Sequence, residues 1–221
     1  PLVIQAMQKS LKEVHRYPDN TCYDLSKKMA KFHNVEPGRL MFDCGSESIM
    51  AKLTNYCIKP GDKILSFSPS FPFINIIAQA AGAELLNIPH EDDLTFSAEK
   101  FCAALGDGVR YVYLCMPNNP TGTILTKKEL LILRKKLRSN ILLVIDDAYC
   151  EYVKNKNYSS GLALFSKSRN VIITRTFSKI YGLAGLRVGW GYGPKKLIEA
   201  LNLINPPFNI NSAALLAASE A

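Results

Sequence analysis

Short apolar runs alternate along the chain with segments whose apolar residues recur at helical spacing. Five of the runs predict short, buried β-strands: Lys63–Phe67, Glu84–Ile88, Tyr111–Cys115, Ile141–Ile145 and Val171–Thr174. Four of the intervening segments predict α-helices: Glu47–Ile58, Phe73–Ala81, Ala98–Leu105 and Lys127–Leu137. Strands that alternate with helices predict an α/β domain around a largely parallel sheet, with helices on both faces.

Local signals mark several helix boundaries. Thr126 and Glu129 form a T-x-x-E pattern, which predicts a capping box at the start of the last of these helices. Gly82 and Gly106 lie where two other helices are expected to end.

Polar segments follow three of the predicted strands. They are Met116–Gly122, Asp146–Tyr149 and Thr176–Gly189. Because ligands of open parallel sheets bind at the carboxyl ends of the strands, we expect these segments to converge on one site. A fourth segment, Asp43–Ser48, directly precedes a predicted helix, where the free N–H groups of the first turn could hold an anion.

The third polar segment places Lys179 beside the hydroxyls of Thr176 and Ser178, with Arg187 eight residues further on. A lysine that forms a Schiff base with pyridoxal phosphate (PLP) needs this combination of a reactive amine and an anion site. Arg187 and the hydroxyls, with the helix start at Ser46–Glu47, could form that anion site. Taken alone, the segment is equally compatible with a solvated lysine and arginine beside an ordinary turn.

Asp146, Asn119 and Tyr149 could serve the rest of such a cofactor. Asp146 ends a very apolar strand, and a buried carboxylate requires a partner such as a protonated pyridine nitrogen. Asn119 and Tyr149 could both donate hydrogen bonds to one phenolic oxygen. Each also has an ordinary structural explanation: a strand-end Asp that caps a turn, an Asn-Pro-Thr-Gly turn and a core tyrosine.

Composition excludes several other classes of protein. The chain has 221 residues, of which 48% are hydrophobic and 21% charged, as is usual for globular proteins. Apolar runs such as Ile141–Ile145 and Ala213–Ala218 are too short to span a bilayer, so no membrane association is expected. The net charge of +8 raises the alternative of a basic, non-enzymatic binding module. The basic residues are scattered, however, and their densest cluster fits a solvated helix face over 127–138, so nucleic-acid binding is not expected.

The six cysteines are widely spaced and contain no C-x-x-C pair. This spacing predicts neither a metal site nor a disulfide framework, and favours a reducing, cytoplasmic environment. The chain starts at Pro1 and stops at Ala221 within a predicted helix, so we expect it to be part of a longer protein.

Six motifs, taken in order, resemble those of fold-type I PLP-dependent aminotransferases of class I/II, and most of all the histidinol-phosphate aminotransferase group. They are R-Y-P-D (16–19), G-S-E-S (45–48), P-N-N-P-T-G (117–122), D-D-A-Y-C-E-Y (146–152), T-F-S-K-I-Y-G-L-A-G-L-R-V-G (176–189) and P-P-F-N-I-N (206–211). The resemblance covers nearly the whole chain. It implies a three-layer large domain over 31–221, an N-terminal segment over 1–30 that lies partly at an interface, and a small C-terminal domain beyond Ala221.

The resemblance also implies roles for individual residues. Lys179 would form the Schiff base with PLP and then serve as general base and acid in the proton shift. Asp146 would pair with the pyridine nitrogen, and Asn119 and Tyr149 would contact the phenolic oxygen. Tyr17 would reach the cofactor phosphate of a neighbouring subunit, which implies a homodimer with shared sites. The residues implied to bind the phosphate within the chain are Ser46, Glu47, Thr176, Ser178 and Arg187. No metal is implied.

The implied reaction is transamination of histidinol phosphate with 2-oxoglutarate, which yields imidazole-acetol phosphate and glutamate in histidine biosynthesis. Another PLP enzyme of the same group stays open as an alternative, such as an aromatic or broad-range aminotransferase or a threonine-phosphate decarboxylase, since the motifs contact the cofactor rather than the substrate. One segment departs from the family pattern. Ile74 stands where an aromatic residue usually covers the cofactor ring, so either Phe71 or Phe73 replaces it or an aliphatic contact does.

Overall fold

A computed structural model describes residues 2–221, and within them seven strands form one mixed sheet. The strands are β1 Leu40–Asp43, β2 Lys63–Ser68, β3 Glu84–Pro89, β4 Val109–Cys115, β5 Leu142–Asp146, β6 Val171–Thr176 and β7 Gly189–Tyr192. The helices are α1 Leu2–Ser10, α2 Tyr23–His33, α3 Ser46–Cys57, α4 Phe73–Ala80, α5 Ala98–Ala103, α6 Lys127–Lys136, α7 Gly161–Phe165, α8 Lys195–Leu203 and α9 Ser212–Glu220.

The strands lie in the order β1-β7-β6-β5-β4-β2-β3. Strands β2 to β6 pair in parallel, whereas β7 runs antiparallel to both β6 and β1. The largely parallel α/β sheet and its five predicted strands are therefore confirmed. Strands β1 and β7 were not predicted from the sequence. Each has only four residues, and two of those in β7 are glycine, which is rare in strands.

Helices pack on both faces of the sheet and produce three layers. One core cluster joins α3, α4 and α8 to strand residues such as Tyr111 and Tyr113. The other joins α2, α5, α6, α7 and α9 to the alternate strand residues, such as Val112 and Leu114. This division follows from the two-residue period of a strand, which sends successive side chains to opposite faces. The predicted three-layer fold class is confirmed.

Helix ends agree with most of the local signals. At the start of α6, Glu129 Oε2 accepts from the Thr126 N–H at 2.7 Å, and Thr126 Oγ1 accepts from the Glu129 N–H at 3.3 Å, which is the predicted capping box. Gly82 follows the end of α4 with a φ of +65°, a conformation that glycine adopts without a Cβ clash. Helix α5 ends at Ala103, three residues before the predicted stop at Gly106.

The register of the central strands determines where the polar segments meet. Cys115 at the end of β4 pairs with Asp146 at the end of β5, and Asp146 pairs with Thr174 of β6. The three segments that follow these strands therefore leave the sheet at one edge. No helix within residues 2–221 has the length and apolar character needed to cross a membrane.

Candidate active site

A pocket opens at the carboxyl ends of β4, β5 and β6. Nine of the ten candidate residues predicted from sequence line it, and Tyr17 does not. Its lining consists of Ser46, Glu47, Phe71, Cys115, Asn119, Asp146, Ala148, Tyr149, Thr176, Ser178, Lys179 and Arg187. The expected convergence of the four polar segments is therefore present in the structure.

Asp146, the last residue of β5, lies at the base of the pocket with 3% of its surface exposed. The Thr174 hydroxyl donates to Oδ1 at 3.0 Å, and the Tyr113 hydroxyl donates to Oδ2 at 3.3 Å. Burial raises the pKa of Asp146 to about 6, although the two hydroxyls and Lys179 act in the opposite direction. A carboxylate held only by neutral hydroxyls can still take a cationic partner from the pocket.

The same pocket also brings together Asn119, Tyr149 and Lys179. Asn119 Nδ2 donates to Tyr149 Oη at 3.3 Å, and Lys179 Nζ lies 5.1 Å from the centroid of the Tyr149 ring. Each residue belongs to a different loop, after β4, β5 and β6 respectively. The arrangement places two hydrogen-bond donors close to one primary amine.

Arg187 forms the cationic side of the pocket. Its Nη1 donates to Ser178 Oγ at 3.3 Å, and its Nη2 pairs with Glu47 Oε2 at 3.1 Å. The Ser178 amide donates to Thr176 Oγ1 at 3.0 Å, and α3 begins at Ser46, so the free N–H groups of its first turn lie on the same side. A guanidinium, two hydroxyls and a helix N-terminus are suited to an anion such as a phosphate group.

Two glycines permit this close approach. A Cβ on Gly189 would lie 2.4 Å from the Ser46 amide nitrogen, so only glycine lets β7 pass the start of α3. Gly45 has a φ of +85°, and a Cβ there would lie 2.8 Å from Arg187 Nη2. Sequence analysis did not include either glycine among the site residues. Their position at the ends of the G-S-E-S and lysine motifs was the signal that could have identified them.

Three further residues that line the pocket also lay outside the predicted set. Phe71 reaches the pocket, whereas Ile74 is 3% exposed within the core of α4. Of the alternatives for the departure from the family pattern, the structure thus places Phe71 at the pocket. Ala148 and Cys115 complete the lining, and burial raises the pKa of the Cys115 thiol, so that it stays neutral.

Tyr17 lies away from the pocket, with 81% of its surface exposed. Its ring stacks on Phe208 at a centroid distance of 4.5 Å, and the Phe208 amide donates to Asn20 Oδ1 at 2.7 Å. The R-Y-P-D and P-P-F-N-I-N motifs are therefore neighbours in space. Asn209 of the second motif also donates to buried Asp43 Oδ1 at 2.7 Å, which links both motifs to the turn before α3.

No cluster of His, Cys, Asp and Glu in the described part of the chain could hold a metal ion. The six cysteines are free thiols.

The family model for aminotransferase class I and II matches residues 1–221. The histidinol-phosphate aminotransferase of Pelagibacter ubique is 45% identical over 221 residues, which are the whole of this chain and 61% of that protein. The enzyme of the same name from Rhodospirillum rubrum is 41% identical over 221 residues and is covered to 60%. A crystal structure of histidinol-phosphate aminotransferase from Sinorhizobium meliloti in complex with pyridoxal-5'-phosphate superimposes with a TM-score of 0.93 at 26% identity. That superposition covers 100% of this chain and 60% of the other.

The chain therefore belongs to the class I and II aminotransferase family, as its motifs indicated. It spans about 60% of the length of the curated relatives that it matches.

Proposed function

We propose that the pocket binds PLP and that Lys179 anchors its aldehyde carbon. The observation that carries this proposal is the convergence of a lysine, a buried aspartate, an Asn–Tyr donor pair and an arginine-lined helix N-terminus in one pocket. Each group matches one part of PLP, and a structural relative carries pyridoxal-5'-phosphate in its crystal structure.

The residues present suit the cofactor chemically. Asp146 offers a carboxylate to a protonated ring nitrogen, while Asn119 and Tyr149 offer hydrogen bonds to the phenolic oxygen. Arg187, Thr176, Ser178 and the amides of Ser46 and Glu47 offer donors to the phosphate. The Cβ-free surfaces of Gly45 and Gly189 keep the start of α3 close to the Arg187 guanidinium.

Bound PLP supplies an aldehyde that condenses with amines and a ring that accepts electrons from the substrate. The chain's own residues do the rest. The substrate amine would displace Lys179 Nζ from the aldehyde carbon. The freed Lys179 Nζ would then take up the proton from the substrate carbon and return it to the former aldehyde carbon, because a free amine can both accept and donate a proton. Asp146 would pair with the positive charge of the ring, and Phe71 lines the pocket from the loop before α4.

We further propose that the whole protein transfers an amino group from histidinol phosphate to 2-oxoglutarate, within histidine biosynthesis in the cytoplasm. Support comes from the relatives at 41% and 45% identity, which bear the name histidinol-phosphate aminotransferase. A homodimer belongs to the same proposal, with Tyr17 reaching the phosphate site of the partner subunit. The exposure of Tyr17 and its distance from the pocket of its own chain agree with that role.

The cofactor proposal is tested with Lys179→Ala. PLP added to the intact protein should give an absorbance band distinct from that of free PLP, and this variant should abolish it. Lys127→Ala, on the solvated start of α6, is the matched control and should leave the band unchanged. An unchanged band in Lys179→Ala would refute Lys179 as the anchor.

A substrate panel on the intact protein tests the reaction. Histidinol phosphate should give the largest kcat/KM as amino donor, ahead of tyrosine, phenylalanine and aspartate. Faster turnover of an aromatic amino acid, or release of carbon dioxide from threonine phosphate, would replace the proposed substrate while leaving the cofactor site intact.

A further inference from the structure

We infer that Tyr113 is a positioning residue, which together with Thr174 fixes the Asp146 carboxylate and keeps it ionised toward the pocket. The purpose of this arrangement rests on the proposed function, because the ionised carboxylate is the form that would hold a cationic ring nitrogen. The hydrogen bonds from the two hydroxyls to Asp146 are present in the structure without any cofactor.

The geometry is that of a two-sided clamp. Tyr113 of β4 and Thr174 of β6 flank Asp146 of β5 in the sheet, and each donates to a different carboxylate oxygen. Both side chains are buried, with 1% and 0% of their surfaces exposed, so neither hydroxyl exchanges its partner for water. Two bonds from opposite sides leave the carboxylate little rotational freedom about its terminal torsion.

The clamp opposes the cost of burial. Burial favours the neutral acid, and Glu47 across the pocket acts in the same direction, while Lys179 and the two hydroxyls favour the carboxylate. Two further titratable groups lie near this carboxylate: the buried Cys115 thiol, and Asp147 on the other face of the sheet. Burial and the Asp146 charge both raise the pKa of Tyr113, so its hydroxyl keeps the proton that it donates.

A second tyrosine on β4, Tyr111, supplies a matched control. Tyr111 lies two residues before Tyr113 on the same strand and the same face, and it is equally buried. Among the residues described, only Tyr113 and Thr174 donate side-chain hydrogen bonds to the Asp146 carboxylate. A Tyr-to-Phe change at position 111 therefore removes the same oxygen atom from the same core without touching Asp146.

The test follows the Asp146 carboxyl carbon by NMR in the ligand-free, intact protein labelled at aspartate carboxyls. Asp146→Asn identifies the signal by its loss. Tyr113→Phe should raise the pKa of Asp146 by about one to two units, because the lost hydrogen bond stabilises the charged carboxylate more than the neutral acid. Thr174→Val should raise it similarly, Thr174→Ser should restore the wild-type value, and Tyr111→Phe should leave it unchanged.

The inference is overturned if Tyr113→Phe leaves the Asp146 titration in place, or if Tyr111→Phe shifts it equally. If Tyr113→Phe does not fold, Thr174→Val and Thr174→Ser still test the clamp: an Asp146 pKa that is the same in both variants would overturn the inference. A PLP titration of the same variants gives an independent readout: weaker binding by Tyr113→Phe than by Tyr111→Phe supports the inference, and equal binding by the two contradicts it. Failure of wild-type protein to bind PLP would refute the proposed function, whereas the NMR titration would still decide the role of Tyr113.

Discussion

Asp146 and Asp147 are consecutive buried carboxylates at the end of β5, and their surroundings differ. Asp146 faces the pocket and receives hydrogen bonds from two neutral hydroxyls. Asp147 faces the other side of the sheet, where its Oδ2 accepts from the Gly161 amide at 2.8 Å and lies 3.9 Å from Arg175 Nη2. Within residues 2–221, Asp147 therefore has a salt bridge to a cationic side chain, and Asp146 has none.

Burial alone does not distinguish the two residues. It raises the pKa of Asp146 to about 6 and that of Asp147 to about 7, although Arg175 and the Gly161 amide oppose the rise at Asp147. Arg175 in turn contacts Glu151 at 3.5 Å and lies over the Trp190 ring, so the Asp147 side is a closed network. The comparison indicates that Asp147 stabilises the protein while Asp146 is available to bind a ligand.

The largest expected effect is the loss of stability in Asp147→Ala. Arg175, whose side chain is 8% exposed, would keep its 3.5 Å contact with the partly exposed Glu151 but would lose its fully buried partner, Asp147. A buried charge left without any partner costs about 3 to 5 kcal/mol. Because Glu151 remains in contact with Arg175, we expect the lower end, about 3 kcal/mol, which denaturant unfolding of the ligand-free protein at pH 8 can measure. The double variant Asp147→Ala/Arg175→Met removes both charges and should recover most of this loss. A single variant as stable as wild type would contradict the closed network.

Asp146→Asn should increase the free energy of unfolding, in contrast to Asp147→Ala. Because the pKa of Asp146 is raised in the folded state, its ionisation lowers stability as pH increases from about 4 to about 6 and above. The neutral amide avoids this cost, so the ligand-free variant should gain about 2 to 3 kcal/mol at pH 8 and nothing at pH 4. PLP binding should nevertheless weaken.

Unfolding free energies at the two pH values, measured beside PLP titrations, check this opposition between stability and binding. A loss of stability at pH 8 would mean that the Asp146 carboxylate already stabilises the ligand-free protein.

The smallest effect is expected for Glu47→Gln. The Glu47–Arg187 pair is about half exposed on both sides, so its loss should change the unfolding free energy by less than about 1 kcal/mol. Binding of inorganic phosphate to the ligand-free protein should strengthen, because the Arg187 guanidinium loses a competing carboxylate.

Glu47→Gln should also lower the pKa of Asp146, since Glu47 raises it. Calorimetry with phosphate and the carboxyl titration measure the two changes, and weaker phosphate binding would argue that Glu47 orients Arg187 rather than competing for it.

Sequence patterns alone were enough to predict the alternation of strands and helices, the capping box at Thr126 and the polar segments that follow the strands. These features depend on residues close together in the chain, where apolar periodicity and turn chemistry act directly. The same local patterns carried the resemblance to the aminotransferase family and the candidate residues Lys179, Asp146, Asn119, Tyr149 and Arg187.

The neighbours of each of these residues could not be predicted from sequence, because they come from distant parts of the chain and meet only in the folded protein. The antiparallel strand β7, the contact of Gly189 with the start of α3, and the choice of Phe71 over Ile74 depend on residues far apart in the chain. The division between Asp146 and Asp147 is of the same kind. The two aspartates are adjacent and indistinguishable in the sequence. Tyr113 and Thr174, from the neighbouring strands, leave the Asp146 carboxylate available for binding, whereas Arg175 pairs with Asp147.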